Sequence, residues 1–255
     1  MTAQRLEGRT AIITGGAGGI GAATGQLFCE HGARVALVDL PGSPLAEVAA
    51  EIRHQVPGAQ VLEIHADVGV EQSAATIVRQ VLERFGALDV LVNLAGIRSY
   101  EPLAEAKAET WDRILKANLL SYAYLVREAL PALRSSGRGS IVNVSSTHAV
   151  NPRKGMGQYD VTKAGILSMT RTLAFEEAPH KVRVNAVCPG LTLTPFHVKR
   201  LGRTKEDLLA EKSAYNLQER WADSREVAYP ILWLASDEAS FITASTLMVD
   251  GGQHV

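Results

Sequence analysis

Short apolar, β-branched runs alternate along this chain with longer stretches of helical period. Residues 10–14 (T-A-I-I-T), 34–38 (R-V-A-L-V), 60–65, 89–93 and 141–144 read as strands, apolar enough to be buried on both faces. Between them a helical pattern runs from the glycines after Thr14 through Cys29, and others cover residues 44–55, 71–85 and 108–133. Alternating strands and helices predict right-handed βαβ units, hence an α/β fold with a doubly wound parallel sheet and helices on both faces. No internal repeat or low-complexity linker interrupts the pattern, and 255 residues suit a single domain. A continuous helix over 108–133 would align Trp111, Leu115, Asn118, Leu119, Tyr122 and Val126 on one face. Asn118 then lies in an apolar stripe, where an amide needs partners.

Composition narrows the class. An apolar share of 46% against 21% charged supplies a large core, and a net charge of −1 gives no reason to expect nucleic acid or an anionic membrane as partner. Cys29 and Cys188 sit singly in apolar segments, which suggests neither a disulfide framework nor a zinc site and points to a reducing compartment. Residues 1–9 are polar and lack a signal core, and no apolar run approaches ~18 residues, so a cytoplasmic protein is expected. His31, His54, His65, His180 and His254 show no metal-ligand spacing, and no metal is expected.

Candidate chemistry lies where strands end. The first strand runs into Gly15, Gly16, Gly18, Gly19 and Gly21 ahead of a helix, an arrangement suited to a pyrophosphate: glycines allow close backbone approach and the helix N-terminus offers unpaired N–H groups. Two registers fit, G-x-G-x-x-G on Gly16, Gly18 and Gly21, or T-G-x-x-x-G-x-G on Thr14, Gly15, Gly19 and Gly21. Asp39 ends the second strand, where a dinucleotide fold places the carboxylate that accepts the ribose hydroxyls. With no Arg or Lys in residues 15–21 or 39–51, NAD is favoured over NADP. Asp67 and the Asn93-Leu94-Ala95-Gly96 turn also follow strands. In residues 140–163, Ser145 and Ser146 end a strand, and Tyr159 and Lys163, four apart, leave one helical face. A nearby ammonium should favour the phenolate and make Tyr159 a usable acid or base.

Together these motifs resemble the short-chain dehydrogenase/reductase family, in its compact single-domain, Rossmann-like form, over essentially the whole chain. The resemblance selects the register Thr14-Gly15-x-x-x-Gly19-x-Gly21 and implies a dinucleotide site of Gly15, Gly19, Ile20, Gly21, Asp39, Asp67, Val68, Asn93, Ala95 and Gly96. The nicotinamide-side loop Pro189-Gly190 with Thr192 and Thr194 completes it. It implies catalysis by Asn118, Ser146, Tyr159 and Lys163, with Ser146, thirteen residues before Tyr159, preferred over Ser145. Asp250-Gly251-Gly252 matches the family's C-terminal signature. The family further implies a homotetramer, or at least a homodimer, built through the helices carrying Asn118 and Tyr159. Leu94 departs from the pattern, which usually has a second asparagine there, so apolar packing is expected to replace a sheet hydrogen bond. Asp160 is an uncommon acidic neighbour of the tyrosine, expected to point away from it.

The implied activity is hydride transfer between NAD and a small-molecule secondary alcohol or ketone. Substrate choice is expected to lie in residues 97–100, 147–158 and a polar insertion over about 191–220, read as a small helical lid. Arg98, His148, Arg153, Lys154 and His197, with Lys199 and Arg200, make that region basic, which suits an anionic or strongly polar substrate. A non-catalytic NAD sensor would have lost Tyr159, Lys163 or Ser146. An NADP-dependent carbonyl reductase remains the alternative on the same fold, whereas an epimerase or dehydratase would need a larger substrate domain. Gln253, His254 and Val255 could reach a neighbouring subunit in an oligomer, though no local pattern establishes it.

Overall fold

The computed structural model describes residues 4–255, so Met1 to Ala3 of the polar amino-terminal stretch lie outside the described residues. The chain begins β1 (Thr10–Thr14), α1 (Gly19–Glu30), β2 (Arg34–Asp39), α2 (Leu45–Gln55), β3 (Gln60–His65), α3 (Glu71–Phe85) and β4 (Val90–Asn93). It continues through α4 (Ala108–Leu115), α5 (Ser121–Ser135), β5 (Ser140–Val144), α6 (Gly157–Glu177) and β6 (Arg183–Pro189). Two short helices, α7 (Pro195–Leu201) and α8 (Lys205–Ala210), precede α9 (Ser224–Ala235) and β7 (Thr246–Val249).

The seven strands form one parallel sheet in the order β3-β2-β1-β4-β5-β6-β7. Strand residues alternate between its faces: Ala11, Ile13, Val35, Leu37, Val90 and Val92 pack against α1, α2 and α9, while Ile12, Ala36, Val38 and Leu91 pack against α3, α5 and α6. Both faces are dry, which is why the strands read as unbroken apolar runs. The order reverses between β1 and β4, and in an open sheet of this kind the crevice at the carboxyl ends of the two diverging strands takes the ligand. Among the described residues no helix is long and apolar enough to cross a membrane.

Two expectations change here. Asp89 lies just ahead of β4, and its carboxylate accepts the Thr10 N–H (2.8 Å) and the Arg138 Nε–H (2.8 Å), tying strand entries together. The helix over 108–133 is not uniform, because Lys116–Leu120 forms a π-helical turn between α4 and α5. One extra residue in that turn shifts the upstream face by one position. Downstream, Asn118, Tyr122 and Val126 are buried as expected, but upstream Thr110 and Ile114 are buried and Trp111 and Leu115 only half so. The shift keeps Asn118 inward while letting Leu119 lie against Gly165 of α6.

Ile114→Ala is therefore expected to lower stability by roughly 2–4 kcal/mol, and Leu115→Ala by clearly less, in chemical denaturation. Equal losses would contradict the shifted register.

Candidate active site

The crevice between β1 and β4 is built first from glycine. Gly15 has φ +69°, a conformation L side chains rarely adopt, and a Cβ at Gly21 would lie 2.1 Å from the Gly15 carbonyl oxygen. Gly18, the middle residue of the other register, has an ordinary φ of −78°, and a Cβ there would lie 3.2 Å from the Gly15 carbonyl oxygen. Gly16 is tightly packed as well, a Cβ there meeting Leu37 Cβ at 2.8 Å, so close packing is shared by both registers, and the left-handed φ of Gly15 is what favours the T-G-x-x-x-G-x-G pattern. No side chain caps α1, so its first N–H groups remain available to an anion. Thr14 Oγ1 accepts from the N–H groups of Leu94 (2.9 Å) and Ala95 (3.1 Å), fixing the turn after β4 against the glycine turn. Those features fit a dinucleotide pyrophosphate.

Asp39 stands at the end of β2, its two carboxylate oxygens accepting the N–H groups of Ala17 (2.9 Å) and Leu40 (2.8 Å). A carboxylate has about four acceptor positions, so it retains capacity for ribose hydroxyls. Asp67 is exposed and accepts the Gly69 N–H (2.8 Å), with Val68 buried beneath it. Asn93 takes the sheet-stabilising position that the family motif implies, its side chain turned into the sheet rather than toward the cofactor. Its side chain is fully buried and donates to Asn143 Oδ1 (3.0 Å) within the sheet, while its own Oδ1 has no protein partner. Leu94 packs against the core on the α1 side and beside Gly15, as its apolar character implies.

Across the crevice, one cavity of about 440 Å³ is lined by Ile20, Gly96, Ser146, Tyr159, Lys163, Pro189, Gly190, Thr192 and Thr194. Ser145 and Ser146 part company: Ser145 Oγ donates into the core to Lys163 O (2.7 Å), whereas Ser146 lines the cavity and hydrogen-bonds Tyr159. Asn118 is buried beneath the cavity. Its Oδ1 accepts the Ile97 N–H (2.7 Å) and its Nδ2 donates to Ile97 O (2.9 Å) and Thr162 Oγ1 (3.2 Å), so it pins the loop that carries Arg98.

Lys163 is buried, with Nζ 5.6 Å from the Tyr159 ring centroid and 5.7 Å from that of Tyr122. It donates to Val144 O (2.8 Å), which also accepts the Tyr122 hydroxyl (3.1 Å). Burial, and then the charge of Arg98, pull the lysine down to about 7. Burial raises the Tyr159 phenol above its ordinary range, opposed by Arg98 and by the Ser146 hydrogen bond. The expectation that the Lys163 ammonium lowers the tyrosine in the free protein is therefore corrected. The lysine has lost its proton before the phenol titrates, and the cation acting on Tyr159 is Arg98.

The basic rim is partly as expected. Arg98, His148, Arg153, His197 and Arg200 line the cavity, joined by Arg203, Tyr100, Tyr215 and Trp221, which no motif marks. Lys154 does not line it: it is exposed on the turn before α6, and Lys199 also lies outside. Asp160, buried in α6, accepts the Arg153 N–H (2.9 Å) and so holds the loop that brings Arg153 to the cavity. The C-terminal residues reach back to their own chain's loops rather than only outward. Gln253 Oε1 accepts the Leu191 N–H (2.9 Å), Gln253 O accepts from Asn151 (2.9 Å), and Asp250 accepts from Thr147 (2.9 Å) and His254 (2.8 Å). Asp250 lies so close to Gly190 that a Cβ there would meet Asp250 Cβ at 2.6 Å.

A glycine turn at the switch point of a parallel sheet, facing a serine, a tyrosine and a buried lysine, defines a nicotinamide dinucleotide oxidoreductase of the Rossmann type. A family model described as enoyl-(acyl carrier protein) reductase matches residues 15–254. The 3-oxoacyl-(acyl-carrier-protein) reductase FabG of Thermotoga maritima is 37% identical over 248 residues, covering 97% of this chain and 98% of the relative. Cis-4-hydroxycyclohexanecarboxylate dehydrogenase of Sinomonas cyclohexanicum is 38% identical over 245 residues, covering 96% of each. The crystal structure of L-sorbose reductase from Gluconobacter frateurii, complexed with NADPH and L-sorbose, superposes with TM-score 0.92 at 32% identity over 99% of both chains. The chain belongs to the short-chain dehydrogenase/reductase family.

Because the folded lysine titrates near 7 and the unfolded one at 10.5, the unfolded chain holds an extra proton between those values, and stability from this group rises with pH across that window. Below it both states are protonated and the full burial penalty applies. Lys163→Met is expected to raise Tm by several degrees at about pH 6–7, the gain shrinking toward pH 10, while activity is lost. A lower Tm at every pH would contradict the burial penalty.

Proposed function

We propose that this protein is an NAD-dependent dehydrogenase of a secondary alcohol bearing a carboxylate or another strongly polar group, with the reverse ketone reduction on the same site. The carrying observation is the convergence of Tyr159 and Ser146, beside the glycine turn, on a cavity rimmed by Arg98, Arg153, Arg200 and Arg203. The relative that acts on cis-4-hydroxycyclohexanecarboxylate has a substrate of this chemical kind. The preference for NAD rests on Asp39, whose charge would repel a 2′-phosphate, and on the lack of basic residues beside it. The sorbose reductase complex contains NADPH, so the shared fold does not carry the choice of NAD, and this reading rests on the residues around Asp39.

The dinucleotide would be held by the turn at Gly15, Gly19 and Gly21, by Asp39 and Asp67 on the adenosine side, and by Pro189, Gly190, Thr192 and Thr194 on the nicotinamide side. When bound, it supplies the hydride acceptor. Tyr159 Oη takes the alcohol proton as general base, and in reduction returns it to the developing alkoxide. Ser146 Oγ hydrogen-bonds and orients the reacting oxygen. Lys163 Nζ steadies the nicotinamide ribose. A Cβ at Gly96 would lie 3.3 Å from Asn118 Oδ1 and 3.5 Å from Lys163 Nζ, and a water in that glycine-made space would join the two as a proton path.

Residues 191–220, carrying α7 and α8, act as the substrate lid; Arg200 Nη1 donates to the Tyr100 hydroxyl (2.8 Å), joining it to the loop after β4. Exposed Leu120, Val161 and Phe175 on the π turn and α6 support a homotetramer or homodimer through these helices. Two buried thiols fit a cytoplasmic setting.

The test is reduced-nicotinamide absorbance with NAD and NADP in turn, over a panel of neutral and acidic secondary alcohols. Turnover is expected with NAD on acidic members, falling by roughly 10²- to 10⁴-fold in Tyr159→Phe. Turnover on neutral members alone removes the anionic-substrate reading, and preference for NADP removes the reading of Asp39.

A further inference from the structure

Arg98 follows the turn after β4, on the loop pinned by Asn118, and its guanidinium lies 5.9 Å from the Tyr159 ring centroid and 5.2 Å from that of Phe196. Its Nη1 is 3.1 Å from His197 Nε2. A guanidinium only donates, so Nε2 must be the unprotonated nitrogen, and the proton belongs on Nδ1, which then donates to Thr194 Oγ1 at 2.9 Å. His197 is buried between Phe196 (5.3 Å) and Trp221 (5.2 Å), and burial with the charges of Arg98 and Arg200 holds it at about 4, neutral in ordinary conditions. Donation therefore runs from Arg98 through His197 to Thr194 at the start of α7, which fixes the guanidinium beside the tyrosine.

We propose that Arg98, anchored by the neutral imidazole of His197, is a further residue of the reaction machinery: a permanent cation held beside Tyr159 that favours its phenolate. The proposal rests on the dehydrogenase reading above but names a role outside substrate recognition. An arginine cannot lose its proton here, whereas Lys163 titrates near neutrality, so Arg98 supplies the positive charge that the lysine does not supply in the free protein. Other groups surround the phenol. Lys163 and Asp160 approach from α6, Tyr122 from α5, and Ser146 and His148 from the loop after β5, the His148 ring centred 6.3 Å away. Asp160 opposes the phenolate and Tyr122 is neutral, its hydroxyl buried on Val144 O. Among the described residues, Arg98 is the permanent cation that lies against the ring.

The experiment needs no substrate. Phenolate formation is followed by ultraviolet difference absorbance against pH in the full chain, with Tyr159→Phe subtracted to isolate Tyr159, and is repeated in Arg98→Gln, Arg98→Lys and His197→Leu. Arg98→Gln is expected to move the Tyr159 transition up by about one pH unit or more, with Arg98→Lys restoring part of the shift and His197→Leu losing part of it. On any neutral alcohol that is turned over, the alkaline-rising limb of kcat/KM should move with it, about tenfold in rate at fixed pH per unit. An unchanged titration in Arg98→Gln, with KM raised for acidic alcohols alone, would overturn the proposal and leave Arg98 a substrate anchor. If no alcohol is oxidised, the titration still decides, so failure of the functional reading is separable.

Discussion

The burial of Lys163 is the constraint on which the rest of the site depends. An ammonium 3% exposed is expensive, and the protein offsets that with the Val144 carbonyl at the carboxyl end of the central strand β5. To deliver that carbonyl the strand must end where α6 begins to cross it, and Ser145 fastens the crossing by donating to the lysine's own backbone carbonyl. Tyr122 reaches the same oxygen from α5, and the π turn keeps Asn118 inward on that helix. The polar groups under the cavity are thus ordered around one buried amino group.

That arrangement pushes the lysine down and the phenol up, so above about pH 7 the free protein holds an amine beside a phenol rather than an ammonium beside a phenolate. Activation then depends on charge brought from elsewhere. The loop after β4 brings Arg98, and an oxidised dinucleotide would bring its own positive ring. The loops around the cavity are braced by residues other than Ser146, Tyr159 and Lys163: Asp160 fastens the Arg153 loop, and the C-terminal tail clamps the segments after β5 and β6 together. Rigid support of this kind places a proton-transfer group within the few tenths of an ångström its chemistry requires.

Much of the fold was legible because both faces of a parallel sheet are dry: β1, β3 and α3 fall where the apolar periodicity puts them. The glycine turn was legible because Gly15 needs a left-handed φ and Gly16 and Gly21 have no room for a Cβ. The π turn was not, since five residues of ordinary helix formers carry no mark of an inserted position; it emerges from Asn118 being locked to Ile97 and Thr162. Lys154 looked equivalent to Arg153, but Asp160 fixes the Arg153 backbone and the Arg153 guanidinium lies over the Tyr215 ring at the cavity, while Lys154 stays outside the lining. Nor does spacing reveal that Arg98, a hundred residues from His197 in order of magnitude, meets it, because that contact exists only after α7 folds over the crevice.

The most direct measurement is the titration of Lys163 itself, by nuclear magnetic resonance of lysines labelled at the ε-carbon, assigned with Lys163→Met. The account predicts a midpoint at about 7 in the free protein. A midpoint near the ordinary 10.5 would contradict it, showing that the ammonium is solvated or paired and that the site is not organised around a desolvated charge.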